Sequence, residues 1–298
     1  MRLSILGCFP EGRQPSVLEP FGRIAGSGAC GSIEASAMRI RKAILPAGGL
    51  GTRLRPLTHL MPKEMLPLGG QVVLQYVLQE CDAAGLDTLL VVLNRNKTAL
   101  FPVSQETPCP RDPVTGIPSR NVYFANQEEQ GGLAHAMLHG EAFVGSDPFA
   151  VALGDTVIHG GERSLLGRLV EAHLENGAAA TVAAQVIDGP AISRYGVFDP
   201  VGEPGEVFSV RRIVEKPKRE EAPSNLAITA RYVFSPIIFQ ACRECRRNAA
   251  GEIELTEAMT WLSERGHRIQ GVRMDPGQSR LDIGNPQSYA DAFQKVMG

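Results

Sequence analysis

From residue 40 onward, short apolar runs alternate with stretches whose apolar residues recur every three to four positions. Runs of four to eight residues rich in Val, Ile and Leu suit strands covered on both faces, whereas the wider spacing suits a helix with one apolar side. This reading predicts strands over 42–47, 88–93, 122–126 and 149–153, with helices over roughly 74–84, 133–144 and 165–176. Strands and helices in that alternation imply an α/β fold: a parallel sheet with helices on both faces and a ligand crevice at the carboxyl ends of the strands. After residue 180 the rhythm changes. Strand-like segments at 181–187, 196–198, 207–215 and 228–234 follow one another closely, which predicts a mixed or antiparallel portion set onto the same sheet. Helical spacing returns over about 255–265 and 286–296.

Residues 1–37 have none of this periodicity and mix Gly, Pro and Ser with isolated apolar residues. The apolar run at 3–9 ends too soon, at Pro10 and Glu11, for an export signal, although Ala35-Ser36-Ala37 superficially resembles a cleavage site. A disordered extension, or a translation start assigned upstream of the true one at Met38, is the expectation for 1–37, with 38–298 as the folded body.

Composition narrows the partners. A formal net charge of −2 gives no electrostatic footprint for nucleic acid, so charge that binds phosphate must be local. The 43% of hydrophobic residues is divided among segments well short of the roughly 20 that cross a membrane. Neither nucleic acid nor a membrane is therefore expected as a partner. Six irregularly spaced cysteines suit reduced thiols in a cytoplasmic enzyme. Cys242 and Cys245 lie in IIFQACRECRRN, which reads as a helix, and no second Cys or His pair follows at zinc spacing.

The first predicted strand runs into KAILPAGGLGTRLRPLTHLMPKEMLPL, spanning Lys42 to Leu68. Gly48, Gly49 and Gly51 let backbone N–H groups approach an anion closely, and Arg53 and Lys63 add positive charge. The third glycine of a dinucleotide fingerprint and the GK[ST] of a P-loop are both missing. The stretch resembles instead the signature G-x-G-T-R-x-x-P…P-K of sugar-1-phosphate nucleotidyltransferases, and Pro62-Lys63-Glu64-Met65-Leu66-Pro67 is most similar to the uridylyltransferase branch of that family.

The resemblance implies a Rossmann-like nucleotidyltransferase fold, with a mixed, mostly parallel central sheet flanked by helices. It also implies the reaction of UTP with glucose 1-phosphate to give UDP-glucose and pyrophosphate, and a homo-oligomer. Ala47, Gly48, Gly49, Gly51 and Thr52 would meet the nucleotide, with Arg53 and Lys63 on the triphosphate. Asn126-Gln127-Glu128-Glu129-Gln130-Gly131-Gly132-Leu133-Ala134 resembles the base-reading loop, with Gln127 offering a donor and an acceptor to an imide edge and Gly132 allowing close approach. Tyr195-Gly196-Val197, Glu215-Lys216-Pro217 and Ser224-Asn225-Leu226 resemble the sugar-phosphate half, so Gly196, Glu215 and Asn225 would touch the sugar and Lys216 the attacking phosphate. Leu153-Gly154-Asp155 and Asp282-Ile283-Gly284 would supply two carboxylates for Mg²⁺, whose shell is completed by phosphate oxygens and water.

Two departures bear on the base. Glycine rather than proline precedes Asp155, as in thymidylyltransferases, and the 96–120 stretch is shorter than the usual helical insertion of uridylyltransferases. A thymidylyltransferase or another sugar-1-phosphate nucleotidyltransferase is thus the alternative within the family. From another class, a non-catalytic sugar-nucleotide sensor competes, but Arg53, Lys63, Asp155, Lys216 and Asp282 are all present. No Ser, Cys or His constellation suggests a covalent nucleophile. None is needed, because a sugar phosphate is itself an anionic nucleophile.

Overall fold

The first strand, β1 (Lys42–Pro46), points its side chains alternately into two different cores, Ala43 and Leu45 into one and Ile44 into the other. In β2 (Thr88–Leu93) Leu89, Val91 and Leu93 join the first core, and Leu90 and Val92 the second. A strand with two apolar faces has no solvent side and must lie inside a covered sheet. The computed structural model describes residues 39–108 and 119–298, and in it the body from 38 to 298 clusters as one unit. The extension expected at 1–37 and positions 109–118 of the 96–120 stretch lie outside the described residues.

Apart from the two-residue strands Pro67–Leu68 and Gln71–Val72, which pair only with each other, the remaining strands are β3 (Asn121–Asn126), β4 (Phe149–Ala152), β5 (Thr156–His159), β6 (Ala180–Val186), β7 (Gly196–Pro200), β8 (Val207–Glu215), β9 (Leu226–Phe234), β10 (Ile269–Arg273) and β11 (Ser279–Asp282). Seven of these join β1 and β2 in one nine-stranded sheet in the order β3-β2-β1-β4-β9-β6-β10-β8-β7, while β5 and β11 pair with each other. The first four run parallel. From β9 on the pairing is antiparallel, except that β10 runs parallel to β6. The mixed α/β architecture expected from the change of rhythm at residue 180 is thus present, with the parallel strands leading. Helices Val73–Ala83 and Leu165–Asn176 cover one face, and Gly132–Leu138, Ile237–Glu244 and Leu255–Glu264 the other. Ser164 starts the Leu165–Asn176 helix by accepting from Gly167 N, and Gly177 at φ +60° closes it.

Three local differences have physical reasons. The helix expected over 133–144 is two, Gly132–Leu138 and Glu141–Val144. At the break, a Cβ on residue 140 would lie 2.3 Å from Ile44 Cδ1, so the chain passes too close to β1 for anything but glycine. Strand β10 was not foreseen because Ile-Gln-Gly-Val-Arg lacks an apolar run; its Gly271 lies flat under the Phe208 ring. Cys242 is helical, but Cys245 is the residue that ends Ile237–Glu244, and both are free thiols.

Candidate active site

The loops leaving β1, β2, β3 and β4 are tied together by backbone bonds that continue the sheet beyond its strands. Ala47 N donates to Val92 O at 2.7 Å, Gln127 N to Leu93 O at 2.7 Å and Gly154 N to Pro46 O at 3.1 Å. They frame a cavity of about 250 Å³ at the carboxyl edge of the sheet. Ala47, Gly48, Gly49, Lys63, Gln127, Gly132 and Asp155 all line it, so seven of the residues expected at the nucleotide and metal site converge there. At Gly48 a Cβ would lie 2.6 Å from Gln127 Oε1, which explains why this position has no side chain.

A buried ion pair holds the glycine loop from behind. Lys97 Nζ donates to both carboxylate oxygens of Glu64 at 2.8 Å and to Ala47 O at 2.6 Å, while Asn94 Nδ2 reaches Gly48 O at 2.7 Å. Burial raises the Glu64 pKa and lowers that of Lys97, each partly offset by the opposite charge beside it. The sequence reading missed Lys97, although its place just past the carboxyl end of β2 is itself a signal.

Lys63 Nζ forms a close ion pair with Asp155 Oδ2 at the mouth of the cavity. Burial opposes both charges, yet mutual attraction outweighs it: Asp155 falls below the ordinary 3.8, and Lys63, which also feels Glu64 and Asp282, rises above 10.5. Strand β11 pairs antiparallel with β5, setting Asp282 opposite Thr156, and Ile283 N donates to Asp155 O at 3.0 Å. The two aspartates therefore leave adjoining strands at one level. Two charged carboxylates so placed suit a hard divalent cation that takes its other ligands from phosphate and water. Among the described residues there is no cluster of three His, Cys, Asp or Glu able to hold a metal by itself.

A second cavity, of about 200 Å³, adjoins the first, and Leu133 and Leu153 line both. Gly196 and Glu215 line it as expected. A Cβ on residue 196 would lie 2.9 Å from Ile228 and Thr256, and Glu215 Oε2 accepts from Thr256 Oγ1 at 2.9 Å. Lys216 is held at φ +43°, rare for a residue with a side chain, by its N–H to Tyr195 O at 3.1 Å. Its side chain is 55% exposed, and its ammonium rests on Glu215 Oε1 at 2.7 Å.

Six expected residues, Gly51, Thr52, Arg53, Lys216, Asn225 and Asp282, line neither cavity. Thr52 and Arg53 are the exposed residues of the turn Thr52–Leu54, which is anchored by buried Leu54, and Gly51 before it takes φ +63° with its carbonyl accepting from Thr58 Oγ1 at 2.8 Å. Lys216 lies at the rim of the second cavity. Asn225 is exposed, and its amide donates to Asp188 at 3.2 Å rather than facing either cavity. Conversely, Arg280 lines the second cavity without having been anticipated. It lies over the Tyr195 ring at 5.0 Å, reaches Asp282 at 3.3 Å, and its buried Nε has no partner among the described residues. Alternation along β11 puts it on the same face as Asp282, a signal present in the sequence.

A family model described as Nucleotidyl transferase matches residues 42–297. The chain is 36% identical over 269 residues to the UTP–glucose-1-phosphate uridylyltransferase 2 of Staphylococcus saprophyticus, covering 85% of this chain and 92% of that protein. It is 35% identical over 257 residues to the UTP–glucose-1-phosphate uridylyltransferase of Bacillus subtilis, covering 80% and 87%. Among solved structures it is similar to a UDP-glucose pyrophosphorylase complexed with UDP-glucose, with a TM-score of 0.76, 30% identity and coverage of 87% and 98%.

Proposed function

The chain belongs to the nucleotidyl transferase family, and we propose that its two cavities hold the two substrates of one reaction, the transfer of the uridylyl group of UTP to glucose 1-phosphate. The products are UDP-glucose and pyrophosphate. The observation that carries this reading is the shared wall of Leu133 and Leu153, with the glycine loop and Lys63 on one side of it and Gly196 and Glu215 on the other. A nucleotide and a sugar phosphate placed in the two cavities meet with only that wall's edge between them.

An oxygen of the sugar phosphate attacks the α-phosphorus of UTP, and the bond from that phosphorus to the pyrophosphate oxygen breaks. The barrier lies in bringing anions together, so the protein's task is alignment and charge neutralisation. Backbone N–H groups of the 47–52 loop approach the triphosphate, with Arg53 folding onto it from its exposed turn and Lys63 beside it. Gln127 reads the base. Glu215 accepts from sugar hydroxyls, and Lys216 moves from Glu215 to the sugar phosphate. Asn225 meets the sugar only if its amide leaves Asp188. Members of the family generally use a divalent metal. In this reading Asp155 and Asp282 hold Mg²⁺, which neutralises phosphate charge when bound.

No helix among the described residues is long and apolar enough to cross a membrane. A cytoplasmic homo-oligomer is our reading from the resemblance, to be tested by sedimentation and cell fractionation. The reaction itself is tested by magnesium-dependent pyrophosphate release across a panel of nucleotides and sugar phosphates. UTP with glucose 1-phosphate is expected to give the highest kcat/KM; a higher value with dTTP would move the protein to the thymidylyltransferases.

A further inference from the structure

Gln127, 3% exposed, presents its amide to the nucleotide cavity with a defined polarity. Its Nε2 lies 3.3 Å from Gly132 O and 3.1 Å from His135 Nδ1. A peptide carbonyl only accepts, so the amide atom facing it is the NH₂ group. That group's second proton then goes to Nδ1, which must be the unprotonated nitrogen of the ring. Oε1 is left on the other side, against Gly48, where the described residues offer it no donor. Glycine at 131 leaves space for the arrangement, since a Cβ there would lie 2.6 Å from His135 Cγ.

The two common pyrimidines differ at the atom such an acceptor would meet. Uracil carries a proton on N3 between two carbonyl oxygens, whereas cytosine has a bare N3 beside an amino group. A fixed amide oxygen pairs with the first and sets lone pair against lone pair with the second. An amide free to turn over discriminates poorly.

We propose that His135 is a positioning residue for base selection: by accepting a Gln127 amide proton at Nδ1, it fixes Oε1 toward the base and so favours UTP over CTP. The inference rests on the reading that this cavity holds the nucleotide base. Burial lowers the His135 pKa, as do His139, whose ring lies edge-on at 5.0 Å, and Arg247, while Glu129 works in the opposite sense. The ring is therefore neutral near neutral pH, as an acceptor at Nδ1 requires.

The test compares kcat/KM for UTP and CTP in the wild type, His135→Phe and His135→Asn. Phenylalanine keeps the ring but has no acceptor, and asparagine can place an amide oxygen where Nδ1 stands. The UTP-over-CTP ratio should fall about tenfold in His135→Phe, the worth of one hydrogen bond, through the KM for UTP rather than kcat. His135→Asn should keep the ratio. An unchanged ratio in a folded His135→Phe protein, or an equal loss in both variants, overturns the proposal. Nitrogen NMR of imidazole-labelled wild type gives a reading that does not depend on either variant folding: His135 Nδ1 should be unprotonated, and a protonated Nδ1 overturns the proposal. A wild type that turns over UTP and CTP equally well would instead remove Gln127 as base reader, which distinguishes failure of the underlying function from failure of the His135 role.

Discussion

On the nucleotide side of the cleft, the charges behind the loop are sealed from water: Lys97 is bonded to Glu64 and to the carbonyl of Ala47, with no freedom to turn elsewhere. On the sugar side, Lys216 stands more than half exposed at the rim, resting on one oxygen of Glu215. An exposed pair of this kind is worth about 0–1 kcal/mol, so little holds the Lys216 ammonium where it is. A buried pair that also bonds the backbone fixes a loop geometry before any ligand arrives. In the proposed function, the backbone of the 47–49 loop is thus preformed, whereas the Lys216 contact, like that of the exposed Arg53, is completed on binding.

The sharpest way to break this contrast is to remove one partner of each pair. Lys97→Met leaves a buried carboxylate without its cation and should cost about 3–5 kcal/mol of stability, read as a drop in Tm or in denaturant midpoint. Lys216→Ala should leave the melt unchanged. Equal losses in the two variants would end the distinction between a preformed and a completed half.

Next in size is the carboxylate pair. Asp155→Asn and Asp282→Asn should each lower kcat by about 10²-fold or more, with partial rescue by raised magnesium in a steady-state titration, because a neutral amide holds a hard cation poorly. The two should differ in stability. Asp155 is buried against Lys63, so its variant should also melt lower, and Asp282→Asn should not. Since the folded pKa of Asp155 lies below its ordinary 3.8, its stabilisation is fully present above that value and fades as pH falls through the lower folded one. The melting difference between wild type and Asp155→Asn should therefore vanish in acid, which thermal scans against pH will show.

A smaller effect separates the substrates. Lys216→Ala should raise KM for glucose 1-phosphate, and Arg53→Ala that for UTP, each by about tenfold or more, the worth of a hydrogen bond to a charged group. Initial-rate matrices in both substrates decide this, and a rise in the UTP KM alone for both variants would refute the division. The smallest effect is expected from deleting residues 1–37. Their composition supplies no periodic apolar face, so activity and Tm should be unchanged in 38–298.

Much of this was legible in the sequence because it is written in period. The two-sided alternation of Ala43-Ile44-Leu45 and of the 88–93 run requires a sheet covered on both faces, and the strand-to-glycine junction at Pro46 marks its active edge. Lys63, Gln127 and Asp155 were found by motif, since each follows a strand or its loop at a recognisable distance. Strand β10 was hidden because its pairing with β6 and β8 is set by tertiary context, not by its own five residues. Lys97 and Arg280 had legible places, one just past β2 and one on β11, but their roles were hidden because each depends on a partner far along the chain, Glu64 and Ala47 for one and Tyr195 for the other. Local pattern also could not show that Asn225 turns to Asp188.

The wall formed by Leu133 and Leu153 has a kinetic consequence. In the proposed function UTP and glucose 1-phosphate each occupy one chamber, and UDP-glucose is a single molecule with an end in each. Once one end is seated, the other is delivered at high effective concentration, so the product is held more firmly than the sum of two separate ligands would suggest. On that proposal, departure of the sugar nucleotide should be a slow event, and accumulated UDP-glucose should compete with both substrates at once.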